Sequence, residues 1–122
     1  MERIFFIIGA ISAFVAVAAG AFGAHSLKNS LSPEMLAIFE TGVRYQMFHA
    51  VGLFVSAWAL GRFPSTFASA SGWLFVVGII LFSGSLYLLA LTETRWLGAI
   101  TPLGGLAFLG GWLSLAYAAW RG

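Results

Sequence analysis

Four long stretches without a single Asp, Glu, Lys or Arg divide this chain: Ile4–Leu27 (24 residues), Tyr45–Gly61 (17), Phe63–Thr92 (30) and Trp96–Trp120 (25). A helix rises about 1.5 Å per residue, so about 20 apolar residues cross a hydrocarbon core of roughly 30 Å. Each run reaches that length, the second only if its helix extends slightly past its charged edges. Membrane strands alternate polar and apolar residues, and these runs do not. With 8% charged residues, against about 25% in soluble domains, the chain cannot cover a water-facing surface. The expected fold is all-α: an up-down bundle of four transmembrane helices in one integral membrane domain, residues 1–122. The spans are expected at about 4–26, 43–61, 70–91 and 99–120. The first run, opening with Glu2-Arg3 and ending in small residues, resembles a signal peptide. Its apolar part exceeds the roughly 7–15 residues of a signal core, so it is read as a retained span.

Helix one carries a small face, Gly9, Ala13, Ala16, Gly20 and Gly23, and helix four repeats it with Gly104, Ala107, Gly111, Ser114 and Ala118. Helix two continues with His49, Gly52, Ser56 and Ala59. In lipid, apolar burial no longer drives helices together, and close backbone approach over small residues does. These faces suit a tight bundle or contacts between copies, and spacing does not separate the two. Between helices one and two, Ser32-Pro33-Glu34 is a helix start, with Ser as N-cap, Pro in the first turn and an acid at the positive dipole end. Met35, Leu36, Phe39 and Val43 then make an apolar stripe, which predicts a short interfacial helix over 33–42. Gly42 hinges it, or it runs straight into span two. Thr101-Pro102 reads as N-cap and first residue of the last helix. Trp112 falls mid-span, as a packing residue.

Antiparallel folding gathers most of the polar side chains at one end: His25, Arg44, Tyr45, Gln46, His49, Ser83, Ser85, Tyr87 and Thr101, with Glu40 just outside. Glu40 and Arg44 are four apart and can meet on one turn, so an interfacial salt bridge is expected. His49 is expected to make an interhelical hydrogen bond, for instance to Ser85 or Tyr87, and His25 to bond loop carbonyls. Two histidines make bis-imidazole haem ligation conceivable, but no second-shell pattern accompanies them, and no cofactor is expected. Zinc wants three or four ligands; His25, His49 and Glu40 are a thin set, and no metal is expected. A lipid head group or a quinone suits the polar cap better, because Arg44 can hold an anion and Tyr or His can bond a carbonyl. No nucleophile with a base, glycine phosphate loop or paired carboxylates occurs, so no catalytic residue is assigned and enzymatic activity is not expected. A net charge of +2 offers nucleic acid no basic patch. The absence of cysteine excludes disulfides and thiolate metal sites.

Four ordered motifs carry a resemblance: Gly20-Ala21-Phe22-Gly23-Ala24-His25, Tyr45-Gln46-Met47-Phe48-His49-Ala50, Leu81-Phe82-Ser83-Gly84-Ser85-Leu86-Tyr87-Leu88-Leu89-Ala90, and Leu97-Gly98-Ala99-Ile100-Thr101-Pro102-Leu103-Gly104-Gly105 followed by Gly111-Trp112. Over nearly its whole length the chain resembles the domain of unknown function 423 family, also designated UPF0382, to which transmembrane protein 256 is similar. The resemblance implies a short multi-pass protein of the bacterial inner membrane and supplies no catalytic residue. The expected partners are the lipid bilayer and either copies of the chain or a larger membrane complex. Arg3, Arg62 and Arg121 on the terminal side balance Lys28, Arg44 and Arg95 on the other. The amino terminus tips the orientation toward both ends cytoplasmic.

Overall fold

A computed structural model of the protein, covering residues 1–122, contains four long helices and no strand. They are α1 (Glu2–His25), α2 (Pro33–Arg62), α3 (Thr66–Thr92) and α4 (Thr101–Arg121). Short 3-10 turns at Leu27–Asn29 and Arg95–Ala99 lead into α2 and α4. α1 lies along α2, α4 lies along α3, and α2 joins the two pairs by packing against both halves of α3. Three helical stretches are long and apolar enough to cross a membrane: Glu2–His25, Thr66–Thr92 and Arg95–Arg121.

Local chemistry sets the helix starts. The Ser32 hydroxyl accepts from the Met35 amide at 3.2 Å with Pro33 in the first turn, and Ser65 caps α3 in the same way through Ala68, also at 3.2 Å. Each cap satisfies one of the amides that a helix start leaves unpaired. Thr101 is not a cap: Ile100 holds that position, and Thr101 is the first residue of α4, its hydroxyl turned to α3. Residues 33–42 are not a separate interfacial helix but the opening of a continuous α2. Met35 and Phe39 are buried there with Leu27, Leu89 and Leu97. That core fixes the first turns of α2 against α3, and Gly42 lies within the continuous helix with its bare face covered by the Tyr87 ring.

A π-helical turn at Ile79–Ser83 divides α3 into the α-helical halves Thr66–Gly78 and Gly84–Thr92. The Ser83 hydroxyl donates to the Gly42 carbonyl of α2 at 2.7 Å. The sequence periodicity gives no sign of this turn.

Close approach of glycines to aromatic rings fills the middle of the bundle. Phe5 lies over Gly72, Phe108 over Gly78 and Phe75 over Gly111, each in space a Cβ would occupy. A Cβ at Gly9 would stand 3.0 Å from the Ala50 carbonyl oxygen, so this position sets how near α1 lies to α2. Ala16 is fully buried on the same face, and Gly20 and Gly23 face Val43 and Phe39. On α4, Gly104, Ala107 and Gly111 are buried, while Ser114 is half-buried, as is Ala13 on α1.

Gly104 and Gly105 are neighbours with opposite surroundings. A Cβ on Gly104 would collide with the Phe82 backbone, 2.8 Å from its Cα; one on Gly105 would meet no atom within 4 Å. Gly104→Ala is therefore expected to destabilise the protein by about 1–3 kcal/mol, the range for overpacking. Gly105→Ala should be neutral or stabilising by up to about 1 kcal/mol, since glycine is a poor helix former. Unfolding of both variants in mixed detergent measures the pair; equal losses would contradict the packing assigned to Gly104.

Candidate functional site: a polar interior centred on α2

α2 turns Gln46, His49 and Ser56 inward. The Gln46 side chain, 4% exposed, reaches two other helices. Its Nε2 donates to the Ser12 carbonyl of α1 at 2.9 Å, and its Oε1 accepts from the Tyr87 hydroxyl of α3 at 2.6 Å. A carbonyl oxygen cannot donate, so this network fixes which end of the amide faces which helix.

One turn further on, His49 is 5% exposed. The indole N–H of Trp112 on α4 donates to its Nε2 at 3.0 Å. An indole is a donor only, so Nε2 accepts and the ring proton sits on Nδ1, which donates to the Tyr45 carbonyl at 2.7 Å. The imidazole also stacks on Phe108, with centroids 3.5 Å apart and planes within 7°. His49 thus makes an interhelical bond, but to Trp112 rather than to Ser85 or Tyr87. Trp112 is both packing residue and donor; its single N–H, easily passed over in a hydropathy reading, was the available signal.

The remaining buried hydroxyls also join helices. Ser85 and Thr101 share a hydrogen bond of 2.6 Å between α3 and α4. Ser56 and Ser71 share one of 2.8 Å between α2 and α3, and Ser71 also donates to the Ala68 carbonyl at 2.7 Å. No buried side-chain nitrogen or oxygen lacks a partner.

Other residues singled out in the sequence lie apart from this interior. His25 is exposed at the end of α1 and makes no side-chain hydrogen bond to the loop carbonyls, whereas His49 is buried and bonded to Tyr45 and Trp112. Glu40 and Arg44 are exposed and form no salt bridge; the molecule's ion pair is instead Glu34–Arg95 at 3.0 Å, joining the start of α2 to the turn before α4. Spacing gave Glu40 and Arg44 the opportunity to pair, but on an exposed face the gain is about 0.3–0.5 kcal/mol and does not compel it. No group of three or more His, Asp or Glu side chains gathers where a metal could sit.

Beside His49 is a pocket of about 580 Å3 between α2 and α4, with Phe82 of the π turn contributing to its wall. Tyr45, Gly105, Leu109 and Trp112 also line it. Its surface is largely apolar, with the rings of Tyr45, Phe82, Phe108 and Trp112 in its lining. Such a space suits an apolar ring or chain rather than an ion.

These features define an all-α membrane protein whose buried polar groups join its helices. The profile of the family described as "Protein of unknown function (DUF423)" matches residues 19–105, and the chain belongs to that family. It is 48% identical to the UPF0382 membrane protein YwdK of Bacillus subtilis over 118 residues, 96% of either chain. It is 49% identical to a UPF0382 membrane protein of Staphylococcus epidermidis over 116 residues, covering 95% of this chain and 94% of the relative. A UPF0382 membrane protein of Haemophilus influenzae is 43% identical over 123 residues, 99% of this chain and 97% of the relative. No solved structure matches it.

The Gln46–Tyr87 bond lends itself to a double-mutant cycle. Gln46→Leu and Tyr87→Phe each leave a buried partner unpaired and should each cost about 0.6–1.7 kcal/mol, the range for hydrogen bonds within membranes. The double variant should cost less than the sum, because removing both partners leaves fewer orphans. Strict additivity in detergent unfolding would show that the bond contributes nothing.

Proposed function

We propose that this protein crosses the bacterial cytoplasmic membrane four times, with α2 as the fourth span and both termini cytoplasmic. In this reading it is a structural or accessory component without enzymatic activity, acting by packing against copies of itself or a larger membrane complex. The observation that carries the reading is that every buried polar side-chain atom is already bonded within the chain. The interior then holds the helices together and leaves no spare group for chemistry. Support for α2 as a span comes from its outward face, where Phe48, Val51, Val55 and Trp58 are exposed. Its lower average hydropathy comes from inward-facing Gln46, His49 and Ser56. α1 packs chiefly along α2, leaving Phe6, Phe14 (74% exposed) and Val17 on a face open to lipid or to another helix.

The chain has no cysteine, so single-cysteine variants report topology cleanly. Ser65→Cys should label with an impermeant maleimide from the cytoplasmic side, and Asn29→Cys and Thr94→Cys from the opposite side. Labelling of all three from one side would remove the four-span reading. In the same preparations, cross-linking in detergent should yield oligomers or co-purifying subunits; a clean monomer counts against the accessory role.

A second reading rests on the α2–α4 pocket, whose volume falls within the roughly 300–1,000 Å3 of small-molecule sites. Gly105 lines it and keeps open a space that no neighbour in the chain fills. In this reading the pocket holds a quinone or lipid tail. Mass spectrometry of solvent extracts should find such a molecule with the wild type and lose it with Gly105→Phe, which fills the pocket. No bound species in either would dismiss this reading.

A further inference from the structure

The groove between the end of α1 and the first half of α2 has a volume of about 350 Å3. Gly20, Gly23 and Ala24 of α1 and Phe39 and Val43 of α2 give it small or apolar sides, and Glu40 and Arg44 complete its lining. A glutamate four residues before a basic residue is the favoured order for pairing along a helix, yet these two do not pair. Neither makes a side-chain hydrogen bond to any other part of the chain. The groove therefore presents one carboxylate and one guanidinium, both uncompensated, beside an apolar trough.

Their depth is informative. At about 1.5 Å per residue, Arg44 lies about 27 Å along α2 from Arg62 and Glu40 about 33 Å. Their placement rests on the proposed reading of α2 as a span: with Arg62 at one face of the membrane, the two bracket the opposite edge of a hydrocarbon core of roughly 30 Å, the guanidinium on the inner side and the carboxylate on the outer. In a phospholipid carrying an amino alcohol, the phosphate lies nearer the acyl chains and the ammonium further out. The order of charge along α2 complements that order.

We infer that this groove binds phosphatidylethanolamine, the phosphate against Arg44, the primary ammonium against Glu40 and an acyl chain along the α1–α2 trough. The guanidinium suits a phosphate because its planar donors match the phosphate oxygens. The ammonium donates N–H groups to Glu40, which the quaternary ammonium of phosphatidylcholine lacks. An anionic glycerol headgroup satisfies Arg44 but leaves the carboxylate unpaired.

The test is native mass spectrometry of delipidated protein titrated with phosphatidylethanolamine, phosphatidylcholine and phosphatidylglycerol of matched acyl chains. The wild type should hold phosphatidylethanolamine about threefold more tightly than the other two, the scale of one exposed ion pair. Glu40→Gln should abolish that preference without weakening phosphatidylcholine, whereas Arg44→Ala should weaken all three. The exchange Glu40→Arg with Arg44→Glu keeps composition and net charge while inverting the order, and it should also lose the preference. Equal retention of the three lipids by the wild type would overturn the assignment. So would a preference that survives Glu40→Gln or the exchange.

Discussion

The arrangement depends most on the Gln46 carboxamide, which bonds α1 and α3 from α2 at one level. In water such bonds contribute little net free energy, because the groups would otherwise bond to solvent. In hydrocarbon, an amide without partners is costly, and neither lipid nor aliphatic side chains can supply them. Gln46 therefore specifies neighbours as much as it stabilises them. A helix turned or slid by one residue would leave the amide, the Tyr87 hydroxyl or both unpaired. The His49–Trp112 bond does the same for α4 one turn deeper, so α2 has a polar tie to each of the other helices.

Around these ties, packing is steric. Rings from one helix rest on the bare backbone of another, as Phe5 does on Gly72, Phe108 on Gly78 and Phe75 on Gly111. Dispersion between well-fitted surfaces replaces the hydrophobic effect as the source of association in lipid. The π turn fits the same scheme: it lies where α3 meets Phe108 and Gly104 of α4 on one side and Gly42 of α2 on the other. Inserting an extra residue into a helical turn displaces side chains relative to a regular α-helix. Here the displaced stretch presents Ser83 to the Gly42 carbonyl and Phe82 to the Gly104 backbone.

The helices were legible in the sequence because charge-free runs and caps are local signals. Ser32-Pro33 marked a helix start, read as that of a short interfacial helix rather than of a continuous α2. Long-range geometry was not legible. Met35 and Phe39 make the same stripe whether they lie flat on a membrane or stand in a core, and only the positions of Leu89 and Leu97 decide between them. Gly104 and Gly105 read alike, although one is in contact with backbone and the other faces open space. The interior polar residues Gln46, His49, Ser85 and Tyr87 were visible as a composition, but their wiring was not, and His25, Glu40 and Arg44 lie outside it. His49 could have met several hydroxyls, and its partner is an indole that hydropathy counts as apolar.

The uneven placement of polarity bears on what the bundle can do. Gln46, Tyr87, Ser85 and Thr101 lie toward one end, His49 bonds Trp112 near the middle, and the opposite half is joined through the Ser56–Ser71 pair, whose hydroxyls bond each other. Movement of an ion or proton across a membrane needs ionisable or water-holding groups at successive depths. Hydroxyls locked together between two helices offer no such step. The outward faces carry Phe14, Val17, Leu106 and Leu113, with Glu40 and Arg44 exposed near one end. Apolar faces of that kind suit lipid or another helix. The polar ties within the bundle thus set its shape, and the surfaces left over are largely apolar.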